Sequence, residues 1–439
     1  MSIVKLLRPI TFLVGVFVTM PIISVPILGS RFSMFEILFP MLTLGLWIEA
    51  LRRPHRWVIN HASVFLLIWF SWSLISTAYG MVFFDGMPAW QNNLLSYAPK
   101  LVVFSAFLIL LYQAGDKERL VRLFLQGFLL GASLNVVWSI AEGVFYHVSG
   151  LALNNILFSG YLESLPANAR SYLVVFSDGV IRSSGFNTDP AHIGGLAPVI
   201  FVYGFLSRKY SLVVLSLLSM AFSQSTTAVV ASLASLIFIF FSFRHKKIRI
   251  NLSDVSVRVF SFIFVTLIAG SFLLFYGIPD SVQNNVSSFY SRVNDVYLSN
   301  DSELVNPRAV YNFYILEAIS FSGPSVLIGT GFGTASYPYL YNPELHSLLG
   351  GGLIFPYDPE NTYISYLFDV GIIGLLIYAF VLGYIYFYFS RRSGFEAVII
   401  VSSICGIAFS GLFYHYTLTA YQVLVLIFSV VLIRGKVVR

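Results

Sequence analysis

The sequence predicts an all-α polytopic membrane protein with about twelve transmembrane helices, both termini in the cytoplasm, and two long loops with short helices on the outer face. Composition predicts the class: 57% of residues are hydrophobic, 17% aromatic and only 10% charged, with mean hydropathy +0.81. A soluble chain of 439 residues has too little interior to hide that much apolar surface. The apolar stretches are continuous rather than alternating, which excludes a β-barrel. The third observation is the placement of positive charge, and it sets orientation.

The first apolar run, residues 10–28, follows Lys5 and Arg8 as a secretory signal would, but it lacks a small-x-small cleavage site and exceeds the usual apolar length. It reads as the first span. Further spans fall near 33–51, 62–84, 97–114, 121–147 and 190–207, then near 258–277, 362–390, 396–412 and 417–433. Residues 210–243 are too long for one comfortable span, and Ser223, Gln224, Ser225, Thr226 and Thr227 interrupt them. Two short helices joined by that polar turn keep Arg208 and Lys209 on the same side as Arg244, Lys246, Lys247 and Arg249.

The resulting organisation is helices 1–5 in 1–147, an outer loop 148–189, helices 6–9 in 190–277, a large outer loop 278–361, and helices 10–12 in 362–439. Of the 26 Lys and Arg residues, only Arg31, Lys100, Arg170, Arg182, Arg292 and Arg308 then lie outside, and the other 20 lie inside. That bias is the positive-inside pattern. The net charge of +6 is therefore a topology signal and gives no reason to expect nucleic acid as a partner. The single cysteine, Cys405, lies within a span and reads as core packing.

Loops as long as 148–189 and 278–361 are usually functional or carry structure of their own. In the larger one, Asn306-Pro307 opens an amphipathic stretch from Val310 to Phe321. Gly329-Thr-Gly-Phe-Gly333, Tyr337-Pro-Tyr-Leu-Tyr341 and Gly350 to Gly352 follow as loop-builders. The glycine run faces outward and lacks a strand-turn-helix setting, so it is no dinucleotide fingerprint. Where each long loop returns to the membrane, Asp189-Pro190 and Asp358-Pro359 read as helix N-caps with proline at the first helical position, which puts Glu360 in a first turn.

Arg308 follows Asn306-Pro307 and so stands in a first helical turn, where a cation opposes the helix dipole. With the free N–H groups of that turn its guanidinium makes an anion site suited to phosphate or pyrophosphate, although Asp301 and Glu303 are alternative ion-pair partners. Arg182 carries a similar argument in Arg182-Ser-Ser-Gly-Phe-Asn-Thr-Asp189. A lipid-linked phosphate fits such a site beside a membrane. Transfer from a lipid pyrophosphate needs charge neutralisation and a base for the incoming hydroxyl, because pyrophosphate already leaves well. Two arginines and one carboxylate meet that need, with no metal and no cofactor expected. Asp301-Ser-Glu303 is the nearest approach to an Asp-x-Asp metal pair.

Arg182-Ser-Ser-Gly-Phe186, the turn Gln224-Ser-Thr-Thr227, Gly329 to Gly333, Glu360-Asn361-Thr-Tyr-Ile and Asp369-Val-Gly371-Ile-Ile-Gly374 occur in an order and spacing that resemble the O-antigen ligase and polymerase superfamily. The resemblance covers roughly the second half of the chain. It implies a multi-pass enzyme of the bacterial inner membrane, facing the periplasm and using an undecaprenyl-pyrophosphate-linked glycan as donor. It implies that Arg182 and Arg308 bind the donor pyrophosphate, and that the partners are the lipid-linked donor and acceptor, membrane lipids and a chain-length regulator protein. Ligases carry a histidine before the motif asparagine, whereas this chain has Glu360. That departure points to a Wzy-type polymerase that makes O-antigen or a related surface polysaccharide, with Glu360 as the base that takes the acceptor proton.

His346 is an alternative to the missing histidine, and Asn361, Tyr337 and Tyr339 are candidate substrate contacts, with Tyr341 and Tyr357 as further stacking candidates. An aromatic belt at the interface is the stronger of the two readings of the tyrosines. The competing readings are a ligase that transfers glycan to the lipid A core, and a flippase or transporter of lipid-linked sugars. For the latter, Glu142, His192 and Asp369 are the charges near or inside spans.

Overall fold

The computed structural model describes residues 3–27, 30–52, 60–83, 88–160, 176–177, 180–187, 192–244, 325–335, 361–412 and 419–433. The predicted span 258–277 and helix 310–321, together with Arg308, Tyr337, Tyr339, Tyr341, His346, Tyr357 and Glu360, lie outside them.

The described chain is mostly helical. Helix α1 is Ile3–Phe17, α2 Met34–Leu51, α3 His61–Phe83, α4 Pro88–Gln113 and α5 Lys117–Ser149. After the short α6, Leu153–Leu157, come α7 Ile193–Leu206, α8 Tyr210–Ser223 and α9 Thr226–Arg244. A single turn, α10, occupies Ser325–Ile328, and α11 Thr362–Phe389, α12 Phe395–Ser410 and α13 Ala420–Leu432 complete the bundle. Four helices, α2, α3, α5 and α11, are long and apolar enough to cross a membrane, and α7, α8, α12 and α13 are shorter apolar helices. Leu44, Trp47, Ile75, Leu130, Leu233, Leu376 and Phe387 stand exposed on their flanks, as lipid-facing side chains do.

The first predicted span needs correction. Helix α1 ends at Phe17, and Ser24–Ile27 (β1) pairs antiparallel with Ser30–Ser33 (β2), with Ser24 opposite Ser33. Pro21 and Pro26, two prolines within six residues, remove two helical N–H donors close together, while the Val25 and Ile27 between and after them favour a strand. Ser33 then caps α2 in a reciprocal pair with Glu36: the Glu36 N–H donates to Ser33 Oγ at 3.2 Å, and the Ser33 N–H donates to Glu36 Oε2 at 2.7 Å.

Helix α1 lies along α5 at backbone distance because Gly127 and Gly131, one turn apart, face the carbonyls of Phe12 and Val16. At the start of both helices Arg8 pairs with Asp116 at 2.8 Å, and Arg122 pairs with Glu396 at the start of α12. Cys405 is buried within α12.

At the far end of the bundle several helix ends converge. Gly194, in the first turn of α7, packs against Ser225 and Thr227 of the α8–α9 junction, and Gly406 of α12 packs on Val199 of α7. Helix α12 ends at Gly411, whose carbonyl accepts the Thr362 N–H at the start of α11 at 2.8 Å. The segment Arg182–Asn187, which leads into α7, shares this end.

Candidate functional site

The predicted polar interruption after Ser223 is a tight junction. Gln224 takes a left-handed conformation with φ 50°, and Ser225 Oγ accepts the Ala228 N–H at 3.2 Å to start α9. Both side chains are buried. Against this junction lies Arg182. Its Nε donates to the Ser223 carbonyl at 3.4 Å, and the Ser183 N–H donates to the Phe222 carbonyl at 3.1 Å. These are final carbonyls of α8, which no helical N–H serves. Arg182 therefore sits at a helix C-terminus, not at the helix start that its sequence suggested. A cation is favoured there by roughly 0.3–1 kcal/mol.

Seen from Ser183 onward, the segment is fastened to α5. Glu142, 1% exposed, accepts the N–H groups of Ser184 at 2.9 Å and Gly185 at 3.2 Å, both through Oε2. Ser139 Oγ and Ser183 Oγ lie 2.6 Å apart. Asn135 Oδ1 accepts the Phe186 N–H at 3.0 Å while its Nδ2 donates to the Thr19 carbonyl at the end of α1. Asn154, just after α5, donates to the Gly185 carbonyl at 2.7 Å and is itself held by Trp138 Nε1 at 2.8 Å. The Trp138 ring stacks on Phe186 at 4.7 Å. Five consecutive residues, Arg182 to Phe186, thus have their course set by α5, α6 and α8.

The glycine loop is held by the same chemistry at another place. Helix α11 breaks at Gly371, with φ 68° and ψ −178°. The break frees the carbonyls of the preceding turn, and each finds a new donor. Phe368 accepts from the Thr330 N–H at 2.9 Å, Asp369 from the Gly331 N–H at 2.9 Å and from Ser76 Oγ, and Val370 from Trp72 Nε1 at 2.9 Å. The Asp369 carboxylate, fully buried, accepts the N–H groups of Gly333, Thr334 and Ala335, each at 2.9 Å, and Thr334 Oγ1 at 3.3 Å. A side chain at Gly329 would meet the Asp369 carbonyl, and one at Gly371 would meet the Leu327 carbonyl. The loop is thus threaded into the helix break, where irregular backbone stays paired and away from lipid.

These contacts revise two sequence expectations. Glu142 and Asp369, the in-span charges of the transporter reading, each take backbone N–H groups of a long loop, which gives them a role in holding the fold. The caps also move. Helix α11 is capped by Asn361, whose Oδ1 accepts the N–H groups of Tyr363 at 2.9 Å and Ile364 at 3.1 Å. Its Nδ2 donates to the Leu412 carbonyl at 2.9 Å. The cap is thus Asn361 instead of Asp358, and Glu360 precedes the helix instead of standing in its first turn. Likewise α7 begins at Ile193 with His192 before it, four residues past Asp189. At α11 the start is fixed by Asn361, whose one side-chain oxygen serves two free N–H groups of the first turn.

Among the described residues, Arg182, the α8–α9 junction, Asn361 and the glycine loop share one end of the helical bundle. Sequence reasoning missed Glu142, Asn135 and Asn154 as the supports of Arg182. The signal was present, since Glu142 is an acid in the middle of an apolar run.

Four membrane-length helices, further apolar ones and two loops buried among them define an integral, polytopic membrane protein. Residues 211–379 match the family model described as O-antigen ligase, a stretch running from α8 through the glycine loop and Asp369 into α11. The matched stretch, less than half of the chain, is similar to the O-antigen ligase and polymerase superfamily, whose members are enzymes that transfer glycans in surface polysaccharide synthesis. No curated protein matches the chain.

Proposed function

We propose that this protein is a polymerase that moves a growing glycan from undecaprenyl pyrophosphate to a hydroxyl of the next lipid-linked repeat unit. The observation that carries the reading is Arg182, held against the α8–α9 junction, which lies inside the family-matched segment. A guanidinium on a supported backbone suits a pyrophosphate that must be gripped as it leaves. Arg308 is its partner in this reading, and Glu360, where ligases have histidine, takes the acceptor proton. His346, Tyr337 and Tyr339 are substrate contacts, and Asn361 contributes by fixing the helix that follows Glu360. No metal or cofactor enters the step. The partners are the lipid-linked donor and acceptor, membrane lipids and a chain-length regulator.

The accompanying topology has twelve spans in the inner membrane, with helices 1–5 before residue 148 and helices 6–9 and 10–12 on either side of the loop 278–361. Both termini are cytoplasmic and the chemistry faces the periplasm. The pairing of Arg8 and Arg122 at the opposite end from Arg182 supports that orientation.

Ligase remains the second reading, favoured by the description of the matched family. Deletion of the gene separates the readings on one glycan gel. A polymerase leaves single repeats on the cell surface, a ligase loses all attached glycan, and a flippase retains glycan inside the cell. Unchanged chain lengths in Arg308→Ala remove its donor role, and full activity in Glu360→Gln removes the base.

A further inference from the structure

We infer that Glu142 is the positioning residue for Arg182, acting on the donor pyrophosphate through the backbone of Ser184 and Gly185; this rests on the donor role proposed for Arg182. Two features separate Glu142 from an ordinary packing residue. Its Oε2 accepts N–H groups two and three residues after Arg182, so its position sets the path of the chain that carries the guanidinium. Its other oxygen, Oε1, is buried and has no hydrogen-bond partner among the described residues. A carboxylate so placed leaves half of its accepting capacity unused, which stability alone does not favour.

The rest of the cradle leaves Arg182 little independent freedom. Ser183 is tied to Ser139 and Phe222, Phe186 to Asn135, and Gly185 to Asn154. Gly185 has φ 64°, and a side chain there would meet Asn135 Oδ1, so the turn after Arg182 has one path. Removing Glu142 releases two N–H groups at the centre of this arrangement. The guanidinium then loses its fixed station beside Ser223 while remaining in the chain.

The test is a double-mutant cycle on folded protein in nanodiscs, measuring kcat/KM for a synthetic undecaprenyl-pyrophosphate-linked repeat unit. Glu142→Ala is expected to lower kcat/KM by about 10-fold in the wild-type background and by less than about 2-fold in the Arg182→Ala background, because the residue it acts through is gone. Glu142→Gln keeps an acceptor for both N–H groups and is expected to restore most of the activity. Equal losses in both backgrounds overturn the inference, as does a Glu142→Gln variant as impaired as Glu142→Ala. If Glu142→Ala yields no folded protein, Glu142→Asp, one methylene shorter, enters the same cycle with the same two criteria. Undiminished activity of Arg182→Ala alone refutes the donor role and the inference together, whereas additive losses refute only the inference.

Discussion

Two loops of this protein are tied to membrane helices by a buried carboxylate that accepts backbone N–H groups, yet the two fastenings differ in how completely the acid is used. Asp369 holds the glycine loop with both oxygens, taking three N–H groups and one hydroxyl. Glu142 holds the Arg182 segment with one oxygen and leaves the other without a partner among the described residues. A satisfied acid inside a helix break is a fold device: it secures irregular backbone that lipid would not tolerate. A half-satisfied acid next to a candidate anion-binding arginine places a side chain at some cost to stability. Substitutions at the two sites should accordingly separate stability from activity.

The largest loss of stability is expected for Asp369→Ala, which strands three buried N–H groups. With each unsatisfied group costing about 1–3 kcal/mol, the folded fraction should collapse on size-exclusion chromatography in detergent. Gly371→Ala comes next. It forces a side chain into a left-handed position and against the Leu327 carbonyl, for a loss of roughly 2–3 kcal/mol read from thermal unfolding. Glu142→Ala strands two N–H groups and removes a costly carboxylate, so about 1–2 kcal/mol is expected on the same measurement. If it destabilises as much as Asp369→Ala, the contrast between the fastenings fails. Trp72→Phe deletes the donor to the Val370 carbonyl and should cost about 1 kcal/mol without altering the transfer rate.

Much of the helical layout was legible in the sequence because long apolar runs and the Ser223–Thr227 interruption are local signals. Helix α2 begins and α8 ends within a residue or so of the expected positions for that reason. The course of residues 20–33 was not, because apolar residues of a span and of an exposed hairpin look alike, and Pro21 and Pro26 decide between them only once the chain folds back. The roles of Glu142 and Asp369 were hidden by a different cause. Their nearest partners are backbone N–H groups 42 and 34 residues away, those of Ser184 and Ala335, and backbone donors leave no mark in a sequence. Arg182 was recognisable as an outer-loop cation, but its seat at the C-terminus of α8 depends on a contact 41 residues along the chain. Asn361 was recognisable as part of a motif, and its capping geometry became clear only with the start of α11 in place.

The most direct test pairs transfer and stability on one preparation of Arg182→Ala. Because the segment is fastened through its backbone and the Arg182 bond to the Ser223 carbonyl is long at 3.4 Å, removal of the side chain should shift thermal unfolding by the equivalent of less than about 1 kcal/mol. Transfer from the undecaprenyl-pyrophosphate donor should fall by roughly 100-fold or more, as expected for loss of a preorganised charge at a leaving group. Wild-type transfer by a folded Arg182→Ala protein, or a loss of activity that merely tracks a loss of folded protein, would contradict the account.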